Sequence, residues 1–137
     1  KFYNFCENNQ FKDFYILNNN HYEYNGYAIC GTRGWFYEEE RSGDHDQKVF
    51  KRELIRLEAS LKAAGEKNKM VFLHYPPVYG NQVCEEILEV LKAHNVKKVY
   101  HGHIHGAGFN NAVKEYDGIE FKLISCDCID FTPCFIA

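Results

Sequence analysis

One stretch narrows the possible folds more than any other: residues 69 to 101 read as strand, helix and strand within about 30 residues. Lys69-Met70-Val71-Phe72-Leu73-His74 is a nearly continuous apolar run, as a buried strand of a parallel sheet requires, and Pro76-Pro77 ends it. A helix follows from about Asn81 to His94, with Val83, Ile87, Val90 and Leu91 on its inner face. Glu85 and Glu86 fall in its first turn, where carboxylates suit the helix dipole. Lys98-Val99-Tyr100-His101 reads as the second strand. Such a unit crosses over right-handedly and leaves its strands parallel, with both C-terminal ends on one edge. The expected fold class is therefore α/β.

Elements on either side fit that frame. Asn25-Gly26, between Tyr22-Glu23-Tyr24 and Tyr27-Ala28-Ile29-Cys30, is a strong hairpin signal because both central residues of a type I′ turn need positive φ. Phe50, Leu54, Leu57, Leu61 and Ala64 recur at steps of four and three before Gly65, which predicts an amphipathic helix starting near Asp44. The tail from Ile119 to Ile129 alternates like a strand and is expected to add antiparallel strand at the sheet edge. The aromatic residues are expected to build the core and the hairpin faces.

Composition sets outer limits. With 137 residues the chain suits a single domain over 1–137, and 45% apolar against 26% charged residues is an ordinary globular balance. A net charge of -3, with Lys and Arg dispersed, gives no nucleic-acid-binding surface. No apolar run approaches the roughly 20 residues of a membrane span, and no signal peptide opens the chain, so a cytoplasmic protein is expected. Six cysteines in such a chain are expected to be reduced and mostly buried. The opening Lys1-Phe2-Tyr3-Asn4, with no initiator methionine, suggests part of a longer polypeptide.

The chemistry gathers at the two strand ends. His74 closes the first strand, and Gly102-His103-Ile104-His105-Gly106 follows the second, on the edge where open α/β sheets bind ligands. In an extended segment His103 and His105 share one face, and the flanking glycines leave room for an ion. A metal site is the natural reading, since neutral imidazole suits zinc, iron, manganese or nickel. His101 lies on the strand itself and is expected to be a core residue or one that orients a ligand. Arg33, in Gly31-Thr32-Arg33-Gly34-Trp35, is a candidate to clamp a substrate phosphate, with pairing to a surface carboxylate as the alternative. Gly43-Asp44-His45-Asp46 precedes a long helix and reads as a cap rather than a metal block. Cys126-x-Cys128 lacks the spacing of a zinc knuckle and reads as core.

His74-Tyr75-Pro76-Pro77 and Gly102-His103-Ile104-His105, each after a hydrophobic strand, resemble the last two metal-binding blocks of the calcineurin-like metallophosphoesterases. Ala28-Ile29-Cys30-Gly31-Thr32-Arg33-Gly34-Trp35 is similar to a segment of a bacterial serine/threonine phosphatase subgroup, so the resemblance covers most of the chain. It implies the C-terminal half of an α/β sandwich with mixed sheets flanked by helices, and two divalent metal ions (Mn, Fe, Zn or Ni). By that resemblance His74 and His103 bind one ion and His105 the other. The family's earlier blocks, which supply the bridging aspartate, the asparagine ligand and the histidine that protonates the leaving group, have no counterpart here, so only half of a catalytic site is implied.

Two functions of different class follow as expectations. The first is a phosphoester hydrolase in which hydroxide on the metal attacks phosphorus in line, completed by an upstream segment of the same polypeptide. The second is a non-catalytic metal-binding or protein-interaction module on the same fold.

Overall fold

The computed structural model describes residues 1–35 and 44–136, with side chains from residue 46 onward in the second segment. In chain order the elements are α1 (Phe2–Asn8), β1 (His21–Tyr24), β2 (Tyr27–Thr32), α2 (Asp44–Ala63), β3 (Asn68–Leu73), β4 (Val78–Tyr79), β5 (Gln82–Val83) and α3 (Glu85–Ala93). They continue with β6 (Lys98–His101), a 3₁₀ turn (Gly106–Asn111), β7 (Glu115–Tyr116) and β8 (Ile119–Leu123). Six strands form one mixed sheet in the order β1-β2-β3-β6-β8-β7, and β4 and β5 form a small hairpin beside it. This is an α/β fold, as the succession of elements predicts.

The central strands run the same way: β2 with β3, β3 with β6, and β6 with β8 are all parallel. Leu73 lies opposite His101, and His101 opposite Leu123, so the C-terminal ends of these strands fall side by side. The β1–β2 hairpin turns at Asn25 and Gly26 with φ of 50° and 80°, the left-handed pair that the sequence demanded.

Several expectations are corrected. The strand after Ile119 ends at Leu123, runs parallel to β6, and is antiparallel only to β7, which takes the sheet edge. The cause is Asp117-Gly118, whose φ values of 50° and 75° make a second tight hairpin before the strand begins. The helix expected from Asn81 begins at Glu85, because Gly80 turns the chain with φ of 55° and pairs Val78-Tyr79 with Gln82-Val83. Aromatic residues of the first fifteen positions do not join the core: Phe5, Phe14 and Tyr15 are all more than half exposed.

The core lies where α2 and α3 meet the sheet. Leu57, Leu61, Ala64, Ile87, Leu88 and Leu91 pack with Ala28, Cys30, Val71 and Val99, while Phe50 and Leu54 cover its margin. Two polar residues of α2 are buried as well, and both are satisfied by β2 and its surroundings. Ser60 Oγ donates to Asn20 O at 2.6 Å and accepts from Gly31 N at 3.0 Å. The Glu53 carboxylate accepts from Thr32 Oγ1 at 2.8 Å and from Arg56 Nη1 at 2.6 Å. A buried carboxylate needs such partners, and here they pin α2 against the end of β2. The backbone of α2 begins at Asp44, but Gly43 and the side chains of Asp44 and His45 lie outside the described residues, as does the capping expected of them.

All six cysteines are free, yet only Cys6, Cys30 and Cys84 are buried, while Cys126 and Cys128 are exposed. The core reading of Cys126-x-Cys128 is thus corrected: residues 126–131 form a turn after the strand has ended. Burial, followed by the carboxylates of Glu86 and Glu85, raises the Cys84 thiol to about 11 despite its place at the N-terminus of α3. Burial also raises Cys30. Because the thiolate is the nucleophile, iodoacetamide at neutral pH is expected to modify Cys126 and Cys128 well before Cys30 and Cys84 in the folded chain. Peptide mass spectrometry over a time course reads this directly, and equal rates would contradict the packing described.

Candidate metal centre

The parallel alignment brings four chain segments to one edge of the sheet. Arg33 follows β2, His74 follows β3, His103 and His105 follow β6, and Cys126 and Asp127 follow β8. Backbone bonds lace these segments together. The N–H groups of His74 and Tyr75 both donate to Arg33 O, at 3.0 and 2.9 Å, and Gly102 N donates to His74 O at 3.2 Å. Ile124 N donates to His101 O at 2.8 Å.

His103 sits in a tight turn, with Ile104 N donating to Gly102 O at 2.9 Å and a φ of 70°. A positive φ at a non-glycine residue costs about 1–3 kcal/mol, and such strain gathers at functional positions. The turn sets the His103 ring against that of His74: Nδ1 of His103 lies 3.2 Å from Nε2 of His74, with ring centroids 5.0 Å apart. Tyr75 packs on both rings, at 4.7 Å from His74 and 4.4 Å from His103. Two nitrogens at that separation fit a single ion, because ligand pairs on bonds of about 2.1 Å stand roughly 3.0–3.5 Å apart.

His105 turns to other partners. Its Nδ1 lies 2.8 Å from Asp127 Oδ1, and Asp127 Oδ2 accepts from Gly106 N at 3.1 Å. Partial desolvation works against ionisation of Asp127, but the bonds from His105 and Gly106 outweigh it and hold the carboxyl below the usual carboxylate range. Cys126 joins this group: among the described residues, donor atoms of His105, Cys126 and Asp127 all lie within 4.8 Å of one another. Thus His74 and His103 form one pair, and His105 heads a second cluster with a thiol and a carboxylate.

Comparison of the chain with known protein families, with curated proteins and with solved structures found no match. The chemistry of the edge therefore rests on its own geometry. His101 is buried, with Nδ1 3.3 Å from Gly102 O, and burial lowers its pKa, so the ring stays neutral beneath the site. It is a core residue, one of the two roles foreseen for it.

Arg33 is exposed, and its guanidinium lies 5.6 Å from the Trp35 ring and 5.7 Å from the Tyr75 ring. Stacking of this kind orients the planar fork without consuming its donors. Beside it runs an open groove of about 750 Å³ whose lining includes Thr32, Arg33, Arg52, Glu53, Arg56 and His74. Among the described residues its lining holds three guanidinium groups and one carboxylate, and that carboxylate is held by Arg56 at 2.6 Å. The positive charge of those described residues suits an anionic ligand next to His74.

Asp127 and Cys126 are candidate ligands that the sequence reading set aside, placing both in the strand expected from Ile119 to Ile129. The available signal was Asp117-Gly118, which reverses the chain before β8 and so directs its C-terminal end to the same edge as His74 and His103.

Proposed function

We propose that the chain carries part of the active site of a metal-dependent phosphoester hydrolase of the calcineurin-like type. The observation that carries the reading is the 3.2 Å approach of His74 Nε2 and His103 Nδ1 at the shared C-terminal edge of parallel strands β3 and β6. In this reading His74 and His103 hold one divalent ion and His105 holds another. Bound there, divalent ions supply Lewis-acid polarisation of a phosphoryl oxygen and lower the pKa of water. The protein's own part is positional. Tyr75 fixes the two imidazole planes, and the strained turn at His103 holds its ring toward His74. The Arg33 guanidinium, stacked on Trp35 and Tyr75, offers its fork to the non-bridging oxygens of a phosphate.

Two close dications repel each other unless a carboxylate bridges them, and Asp127 is turned toward His105 and Gly106. The reading therefore assigns the bridging carboxylate, and the acid that protonates the leaving group, to an upstream segment of the same polypeptide. The test is manganese-dependent hydrolysis of an aryl phosphate ester, run on residues 1–137 and on a longer polypeptide that contains them. Turnover by the longer chain and little by the shorter one is expected. Equal turnover would refute the division of the site, and no turnover by either would refute the hydrolytic reading.

A second reading, a non-catalytic metal-binding module, is favoured by the same placement of Asp127. Metal uptake without hydrolysis by the longer chain would select it.

A further inference from the structure

The cluster around His105 differs in kind from the His74–His103 pair. It joins an imidazole, a thiol and a carboxylate drawn from two separate loops, with donor atoms within 4.8 Å of one another. We infer that His105, Cys126 and Asp127 bind a single thiophilic divalent cation, zinc or cobalt rather than manganese or magnesium.

Three features carry this. The first is size: on bonds of about 2.0–2.3 Å, the donors of a tetrahedral ion stand roughly 3.3–3.8 Å apart, inside the spread of the cluster. The 2.8 Å between His105 Nδ1 and Asp127 Oδ1 has only to open by a fraction of an ångström. The second is charge. A Cys126 thiolate and the Asp127 carboxylate bring two negative charges, the number that one dication neutralises, and the thiol proton passes to solvent as the ion binds. Thiolate is also a soft donor, which selects zinc and cobalt over the hard cations.

The third feature is that both loops are already fixed. Cys128 N and Ile129 N donate to Ser125 O at 2.9 and 3.2 Å, and Phe131 N donates to Cys126 O at 2.7 Å. On the other side Gly106 N holds Asp127 Oδ2 at 3.1 Å, directly after His105. A site whose backbone is held before the ion arrives loses little ordering entropy on binding. His105 and Cys126 are exposed, which leaves a face of the ion open to solvent or to a further ligand.

The inference shares His105 with the hydrolytic reading and specifies what else holds the ion there, but its test does not require turnover. Co²⁺ is titrated into the 137-residue chain under a non-thiol reductant, and absorption is followed in the near-ultraviolet, where thiolate-to-cobalt charge transfer appears. The expected result is a charge-transfer band that saturates at one equivalent. Cys126→Ser and His105→Ala should abolish it, Asp127→Asn should raise the dissociation constant about 10-fold or more, and His74→Ala should leave it intact. An unchanged far-ultraviolet circular dichroism spectrum confirms that each variant is folded. The proposal is overturned if the wild-type chain shows no thiolate band at saturating Co²⁺, or if the band survives in both Cys126→Ser and His105→Ala. Absence of turnover by the longer chain, with the band intact, would count against the hydrolytic reading alone, and turnover by the longer chain without the band would count against this proposal alone.

Discussion

Replacing Gly31 with alanine is expected to cost the folded state about 2–6 kcal/mol. Gly31 lies in β2 with φ of 150°, and a Cβ built there would meet the carbonyl oxygen of Phe72 at 1.9 Å. That atom is backbone of the adjacent parallel strand β3, so it cannot rotate away as a side-chain tip would. Strain at such a φ costs about 1–3 kcal/mol, and overpacking a close-packed contact adds about 1–3 kcal/mol. The sum takes a large share of the roughly 5–15 kcal/mol that holds a typical domain together. Gly26→Ala is the matched comparison, since its φ is 80° but nothing lies within 4 Å of the added carbon. It should cost only the left-handed penalty of about 1–2 kcal/mol. Urea titrations followed by circular dichroism compare the two, and midpoints shifted by the same amount would contradict the registry of β2 against β3.

The second large effect concerns catalysis. In a polypeptide that also carries the proposed upstream segment, His103→Ala should lower manganese-dependent hydrolysis of an aryl phosphate by about 10²-fold or more. Removing one imidazole of the proposed ligating pair would lose metal and, with it, several kcal/mol of charge stabilisation, each 1.36 kcal/mol being tenfold in rate. His101→Gln, two residues earlier in the buried strand, should act mainly on stability, because His101 faces the core and its ring is neutral there. Activity per folded molecule separates the two variants. Comparable specific activity in His103→Ala and the parent chain would remove His103 from the site.

The sequence revealed the edge on which the site stands, but only part of what stands there. The apolar run ending at His74 and the glycines around His103 and His105 were readable because parallel strands fix a common edge. The approach of His103 to His74 was readable for the same reason. The pairing of His105 with Asp127 was not, since it depends on a residue that follows another strand, β8. Cys126 and Asp127 were set aside for a different cause. Read as part of an antiparallel edge strand, they belong far from the edge that holds the histidines. The Asp117-Gly118 turn reverses that direction, and a single reversal of a strand carries every residue beyond it to the opposite end of the sheet. Glu53 was likewise hidden, because on a helix wheel it is one charged residue among many, and only the tertiary contact with Thr32 shows it buried.

The central claim is that the strand-end histidines bind a divalent metal ion. The most direct measurement is paramagnetic broadening of the imidazole proton signals by substoichiometric Mn²⁺ in the 137-residue chain. His94 is the internal reference, since it caps the C-terminus of α3 just before β6 begins, and its Nε2 pairs with Glu58 at 3.2 Å. The account predicts that signals of His74 and His103 broaden first, that His105 follows, and that His94 stays sharp. Broadening of His94 equal to that of His74 and His103, or sharp signals from all of them at stoichiometric Mn²⁺, would contradict it.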